Sequence, residues 1–140
     1  MPLTKKAALD FLKSVDLGAI ATATAETGPE VALINFAVTD ELELIFETIQ
    51  TTRKCENLRE DPRAAFMAWR GDQTLQYEGI ADEPDEFALK ELLDVYFAAV
   101  PEARSHQGWP GLIYMRVRPR WIRLSRYGGS WSVEELTFKA

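Results

Sequence analysis

The chain has 140 residues, 46% hydrophobic and 27% charged, a size and mixture that suit one domain with one core. Its net charge of −6 argues against a general nucleic-acid binder, because no broad cationic surface exists to displace counterions from phosphates. One cysteine (Cys55) excludes an internal disulfide framework, one histidine (His106) leaves too few soft ligands for a metal site, and no apolar run nears the ~20 residues of a membrane span. With no secretory h-region at the N-terminus, the expectation is a cytoplasmic protein that does not engage membranes.

The chain opens with a helix predicted from about Thr4 to Ser14, with Thr4 as N-cap and Ala8, Phe11, Leu12 and Val15 as its apolar stripe. Ala19 to Thr24 reads as a strand, followed by a turn at Glu26–Pro29. Val31 to Val38 reads as a second strand, apolar enough to be buried on both faces, and Leu42 to Thr48 as a third. A short helix is predicted from Thr52 to Arg59, stopped at Asp61-Pro62. Ala64–Trp69 and Leu75–Ala81 form a hairpin across Arg70–Gln73. Pro84 then opens a longer helix whose apolar face is Phe87, Leu89, Leu92, Leu93, Tyr96 and Phe97. After an irregular loop from Pro101 to Gly111, Leu112–Val117 and Trp121–Ser125 read as two strands, broken or bent at Pro119. Strands and helices do not alternate regularly. The fold class is therefore α+β, mainly β: an antiparallel barrel of six to seven strands with about three helices, in a single domain over 1–140.

The join between the third strand and the short helix carries the chemistry. Thr51 or Thr52 is the natural N-cap, which puts Arg53 and Lys54 in the first turn, where the helix dipole disfavours cations by ~0.3–1 kcal/mol each. Glu60 and Asp61 at the far end also carry the unfavourable sign. One explanation is a dianion held at the N-terminus by backbone N–H groups, threonine hydroxyls and both cations. The other is that the two cations are solvated or paired with Glu47, Glu56 or Asp61. The residues alone leave both open.

The run Leu44-Ile45-Phe46-Glu47-Thr48, a spacer, and Arg53-Lys54-Cys55-Glu56-Asn57-Leu58-Arg59-Glu60-Asp61-Pro62 resembles the pyridoxamine 5′-phosphate oxidase-like FMN-binding split barrels. Gly28–Phe36 upstream, the segments Ala64–Trp69 and Leu75–Ala81, and Tyr114–Ile122 with its V-x-P-x-x-I pattern extend the likeness over nearly the whole chain. The resemblance implies that Arg53 and Lys54 grip an FMN phosphate, with Thr48 and Thr51 or Thr52 adding hydroxyls. It implies that Ala32, Leu33, Ile34 and Asn35 line the flavin edge, with Phe46 and Glu47 beside it, and that Gln76 faces the ring. It further implies a homodimer with the cofactor between subunits, so that Gln107, Gly108 and Trp109 can close the partner's site.

The substrate end departs from the oxidase pattern. The segment Ser125–Glu134 has no Arg-x-His, and Val100 stands where an arginine is expected after Tyr96. Oxidation of pyridoxine phosphate is thus expected to be weak or absent, and no catalytic residue is assigned. Three readings follow: an FMN-dependent oxidoreductase acting on an unknown small molecule, a split barrel holding deazaflavin or haem, or a flavin-binding or stress-related protein without turnover.

Other candidates have plainer readings. The tryptophans, including Trp121, read as packing, with Trp109 in its glycine-flanked loop the exception that lies by a ligand. His106 reads as a surface residue and Cys55 as a small apolar group turned inward. Arg116, Arg118 and Arg120 share one strand face and are expected to pair with carboxylates, since acidic residues outnumber basic ones by 22 to 16.

Overall fold

The computed structural model describes residues 1–139. Its elements are α1 (Lys5–Lys13), β1 (Leu17–Thr24), β2 (Gly28–Asn35), β3 (Ala37–Val38), β4 (Leu44–Ile49), α2 (Arg53–Glu60), β5 (Arg63–Arg70), β6 (Gln73–Asp82), α3 (Glu86–Ala99), a 3₁₀ helix (Pro101–His106), β7 (Leu112–Arg126) and β8 (Ser132–Thr137). The ladders are antiparallel and run in the order β2-β1-β5-β6-β7-β4-β3, with β8 added to β7. Seven strands on one path with three α-helices match the barrel expected from the sequence.

The sheet closes because its two edges are consecutive in the chain. β2 ends at Asn35 and β3 begins at Ala37, yet β2 pairs with β1 while β3 pairs with β4 at the other end of the path. Phe36, the single residue between them, is buried against Phe66 with ring centroids 4.9 Å apart. Fully buried Tyr77 fills the centre, its hydroxyl facing the carbonyls of Leu42 at 2.7 Å and Val117 at 3.0 Å. Burial pushes its ionisation far up, so the phenol stays a donor to these main-chain acceptors.

β7 is one strand of 15 residues, where the sequence suggested two. Its first half pairs with β4 up to Val117, and its second half pairs with β8 from Trp121. Pro119 falls between these two partners, where its missing N–H breaks neither ladder. On the other side, Gly79 faces Pro119 and Glu78 faces Trp121, so Arg120 is an extra residue, a β-bulge. The bulge changes the parity of burial: Met115, Val117 and Pro119 point inward before it, Ile122 and Leu124 after it.

Four further expectations are corrected. β2 is not buried on both faces; Val31 and Leu33 are 67% and 64% exposed, because an edge strand on a curled sheet has only one face toward the core. α3 starts at Glu86 with Asp85 as N-cap, and Phe87 is 89% exposed, since the helix packs through Leu92, Tyr96 and Phe97 with Leu89, Leu93 and Val95 beside them. β8 was not foreseen: its short polar run is held by pairing with β7 and by main-chain bonds to Met1 and Leu3. None of the four tryptophans enters the core; Trp121 comes nearest, its indole N–H donating to Glu135 at 2.8 Å.

A Cβ at Gly79 would collide with the Arg118 carbonyl and come within 2.8 Å of Val117 Cγ1. Gly79→Ala should therefore cost about 1–3 kcal/mol, read as a lower urea midpoint at unchanged slope.

Candidate functional site

The helix α2 begins where the sequence placed it. The Thr52 hydroxyl accepts from the Cys55 N–H at 3.4 Å and lies 2.8 Å from the Thr48 hydroxyl, so two threonines define the cap. The cap opens on a cleft of about 330 Å³ lined by Ile20, Thr22, Glu30, Val31 and Ala32 from the β1–β2 hairpin and by Thr51–Lys54. The hairpin is fastened to α2 by a polar chain. Buried Asn57 donates to the Thr22 hydroxyl at 3.0 Å and to Glu30 Oε1 at 2.8 Å, and the other Glu30 oxygen meets Arg53 Nη1 at 2.8 Å.

The two cations at this turn are unlike. Arg53 is largely exposed and paired with Glu30, not with the Glu47, Glu56 or Asp61 that the sequence offered. Lys54 makes no ion pair among the described residues, and partial burial pulls its ammonium below the usual lysine range. Of the two reversed charges at the far end, Asp61 is answered locally, and Glu60 has no ion pair among the described residues. Arg63 pairs with Asp61 at 2.7 Å and draws that carboxyl down to about 2, while Arg59 pairs with Glu83 at 2.7 Å. Lys54 alone leaves the charge at the helix start unanswered.

The other expected site residues are dispersed. Thr48 is buried and spends its hydroxyl on the cap; Phe46 and Ile34 are core. Asn35 lines a separate groove of about 1080 Å³ between α1 and α3. Six carboxylates (Asp16, Asp40, Glu41, Glu43, Glu91 and Glu102) against two cations, Lys13 and Arg116, line that groove, a balance that disfavours an anion. Leu33 and Gln76 lie on the open face of the sheet, in one cross-strand row of Leu33, Ala19, Met67, Gln76 and Arg123. Val31, at the cleft, sits in the next row, so cleft and open face adjoin. Glu47 turns away under the 3₁₀ helix, bonded to His106 and Tyr96, and Trp109 stacks on His106. Cys55 is fully buried and burial pushes its thiol up, in keeping with a packing role. Arg116 pairs with Asp82 at 3.0 Å, and Arg118 lies 3.8 Å from Glu43 and 3.6 Å from Asp82, as expected of that stripe; Arg120 has no ion pair among the described residues. The described residues contain no cluster of His, Cys, Asp and Glu able to hold a metal, and no helix long and apolar enough to cross a membrane.

The sequence reading missed Glu30 and Asn57. A glutamate on a strand and a mid-helix asparagine carry no local signal; only the packing of α2 on the hairpin joins them.

A family model described as pyridoxamine 5′-phosphate oxidase matches residues 4–126. The chain belongs to this family. Solved structures agree in fold. A haem-binding protein from Mycobacterium smegmatis superposes with TM-score 0.80 at 17% identity, over 98% of this chain and 59% of its own, so the present chain spans little more than half of that relative. A pyridoxamine 5′-phosphate oxidase-related, FMN-binding protein from Nostoc punctiforme gives 0.65 at 16% identity over 94% of both chains. An FAD-binding protein from Mesorhizobium loti gives 0.69 at 17%, over 87% of this chain and 94% of its own. No curated protein matches the sequence.

Asn57→Ala strips two hydrogen bonds from buried and half-buried partners. It should lower unfolding free energy by about 2 kcal/mol, and amide exchange of the β1–β2 hairpin should accelerate more than that of β7.

Proposed function

We propose that this chain is an FMN-binding flavoprotein whose phosphate end is the cleft at the start of α2, and that it acts as an oxidoreductase on a small molecule. The observation that carries the reading is Lys54, a partly desolvated ammonium with no carboxylate partner among the described residues, set beside the N-terminal N–H groups of α2. Both features disfavour the empty site, and a phosphate dianion relieves both. Thr51 and Thr52 add hydroxyls at the same mouth, and Arg53 is oriented there by Glu30. An FAD-binding and an FMN-binding relative on the same fold support a flavin. Bound there, FMN supplies two-electron transfer at its ring, while the chain supplies anchoring and exclusion of water.

The cleft of about 330 Å³ suits a phosphate and its attached chain, and its mouth at Val31 gives onto the open sheet face. There Leu33, Met67 and Trp69 are 64%, 41% and 48% exposed, a contiguous apolar surface suited to a second copy of the chain. A homodimer with the cofactor at its seam uses this face on both sides.

The purified protein should show flavin absorption, or gain it on reconstitution with FMN; a Soret band would transfer the case to haem, and mass spectrometry of released ligand separates FMN from deazaflavin. Lys54→Ala should weaken FMN binding by about 2–4 kcal/mol, and Arg53→Ala by less because its exposed guanidinium is already paired. Equal dissociation constants for wild type and Lys54→Ala would remove the phosphate role. Leu33→Asp should convert the dimer to monomer in light scattering; an unchanged mass would place the interface elsewhere.

A further inference from the structure

A second polar cluster lies on the opposite side of β4 from the cap threonines. Glu47 and Thr48 are neighbours on that strand, so their side chains leave on opposite faces: Thr48 toward Thr52, Glu47 toward α3 and the 3₁₀ helix. Glu47 Oε1 lies 2.7 Å from His106 Nδ1 and accepts from the Tyr96 hydroxyl at 3.2 Å. Glu47 Oε2 is buried without a partner, and so is the hydroxyl of Tyr114, directly across the strand pair. Burial and the nearby Glu47 both raise the ionisation of Tyr96 and Tyr114, so the two phenols remain neutral.

This arrangement orients the imidazole. In the neutral ring a carboxylate at Nδ1 favours the tautomer with its proton on Nδ1, which leaves the lone pair on Nε2. Nε2 makes no hydrogen bond to the described residues and is not among the fully buried unpartnered atoms, and the His106 side chain is 25% exposed. The ring is braced from one side by Trp109, with centroids 4.1 Å apart and planes inclined by 26°. Trp109 itself is 51% exposed, in a loop whose Gly108 and Gly111 both adopt left-handed backbone (φ 89° and 75°). Gly111 also accepts the Gln50 N–H at 2.9 Å, tying the loop to the end of β4. A half-open indole held beside an oriented base is a platform for a flat ring.

We propose that Glu47 and His106 form an acid–base dyad for a planar aromatic ligand that bears an ionisable O–H or N–H and lies against Trp109. The proton leaves the ligand's O–H or N–H for His106 Nε2, whose lone pair forms the new N–H bond; the resulting imidazolium is held by Glu47, and the reverse step returns the proton. No electrons are transferred. Glu47 and Tyr96 are positioning residues; His106 touches the reacting atom. The dyad stands on its own geometry and needs no flavin.

His106 is the sole histidine, so its ring nitrogens can be read without ambiguity by ¹⁵N NMR of the whole protein. The neutral ring should be protonated at Nδ1. A suitable probe is 4-nitrophenol, flat and coloured only when ionised. Its binding should shift Nε2, quench tryptophan fluorescence and develop the ionised band below the pH at which the free phenol develops it. Trp109→Ala should weaken that binding by about tenfold. His106→Gln should keep the quench and lose the early ionisation, and Glu47→Gln should lose most of it with His106 still present. A ring protonated at Nε2, a probe that leaves Nε2 unmoved at saturation, or equal ionisation in His106→Gln would overturn the dyad. A histidine that merely pins the 3₁₀ helix would leave the probe's titration unchanged.

Discussion

Residues 112–126 pair with β6 along most of their length, with β4 through their first half and with β8 through their second. A strand in that position must keep an inward row of side chains while the sheet around it curls. Strict alternation would carry the second half out of phase with the core. The extra residue at Arg120 resolves this by shifting the phase once, at the point where pairing with β4 gives way to pairing with β8 and a proline is tolerated. Gly79 on the partner strand is the steric counterpart, because no Cβ fits against the displaced carbonyl of Arg118. β4 pairs with the half of β7 that precedes this shift, from Leu44 opposite Val117 to Ile49 opposite Leu112.

β4 in turn separates two chemical environments. One face delivers Thr48 to the cap of α2 and the cleft around Lys54; the other delivers Glu47 to His106. Adjacent residues on one strand thereby serve sites on opposite sides of the sheet. The electrostatics differ accordingly. At α2 a lone cation and helix N–H groups await negative charge. Under the 3₁₀ helix a carboxylate takes the Tyr96 hydroxyl and the His106 ring on one oxygen, while its other oxygen is buried without a partner.

Much of the fold was legible in the residues. α1 and α2 announce themselves by Thr4 and Thr52 as caps and by Asp61-Pro62 as a stop, and the β5–β6 hairpin by its turn at Gly71-Asp72. These are local signals, set within one or two turns of chain. β8 was not legible, because Ser132–Thr137 has little apolar alternation and exists by pairing. The exposure of Val31 and Leu33 was not legible either, since an apolar run looks the same whether one face or both are covered, and in this single curled sheet even the central β1 and β5 bury only one face. The same limit applies to Phe87, whose helical phase suits a core that the barrel does not extend to meet.

For the sites, the sequence by itself determined that cations stand at a helix N-terminus capped by threonine, since cap and dipole are properties of a few consecutive residues. Tertiary structure decided which of them is free. Glu30 comes from another strand to occupy Arg53, and none of the described carboxylates reaches Lys54. Tertiary structure also decided that Glu47 and His106, 59 residues apart, meet at 2.7 Å. The sequence had made His106 an ordinary loop residue, because the carboxylate that orients it belongs to a strand it approaches only after α3 packs on the barrel.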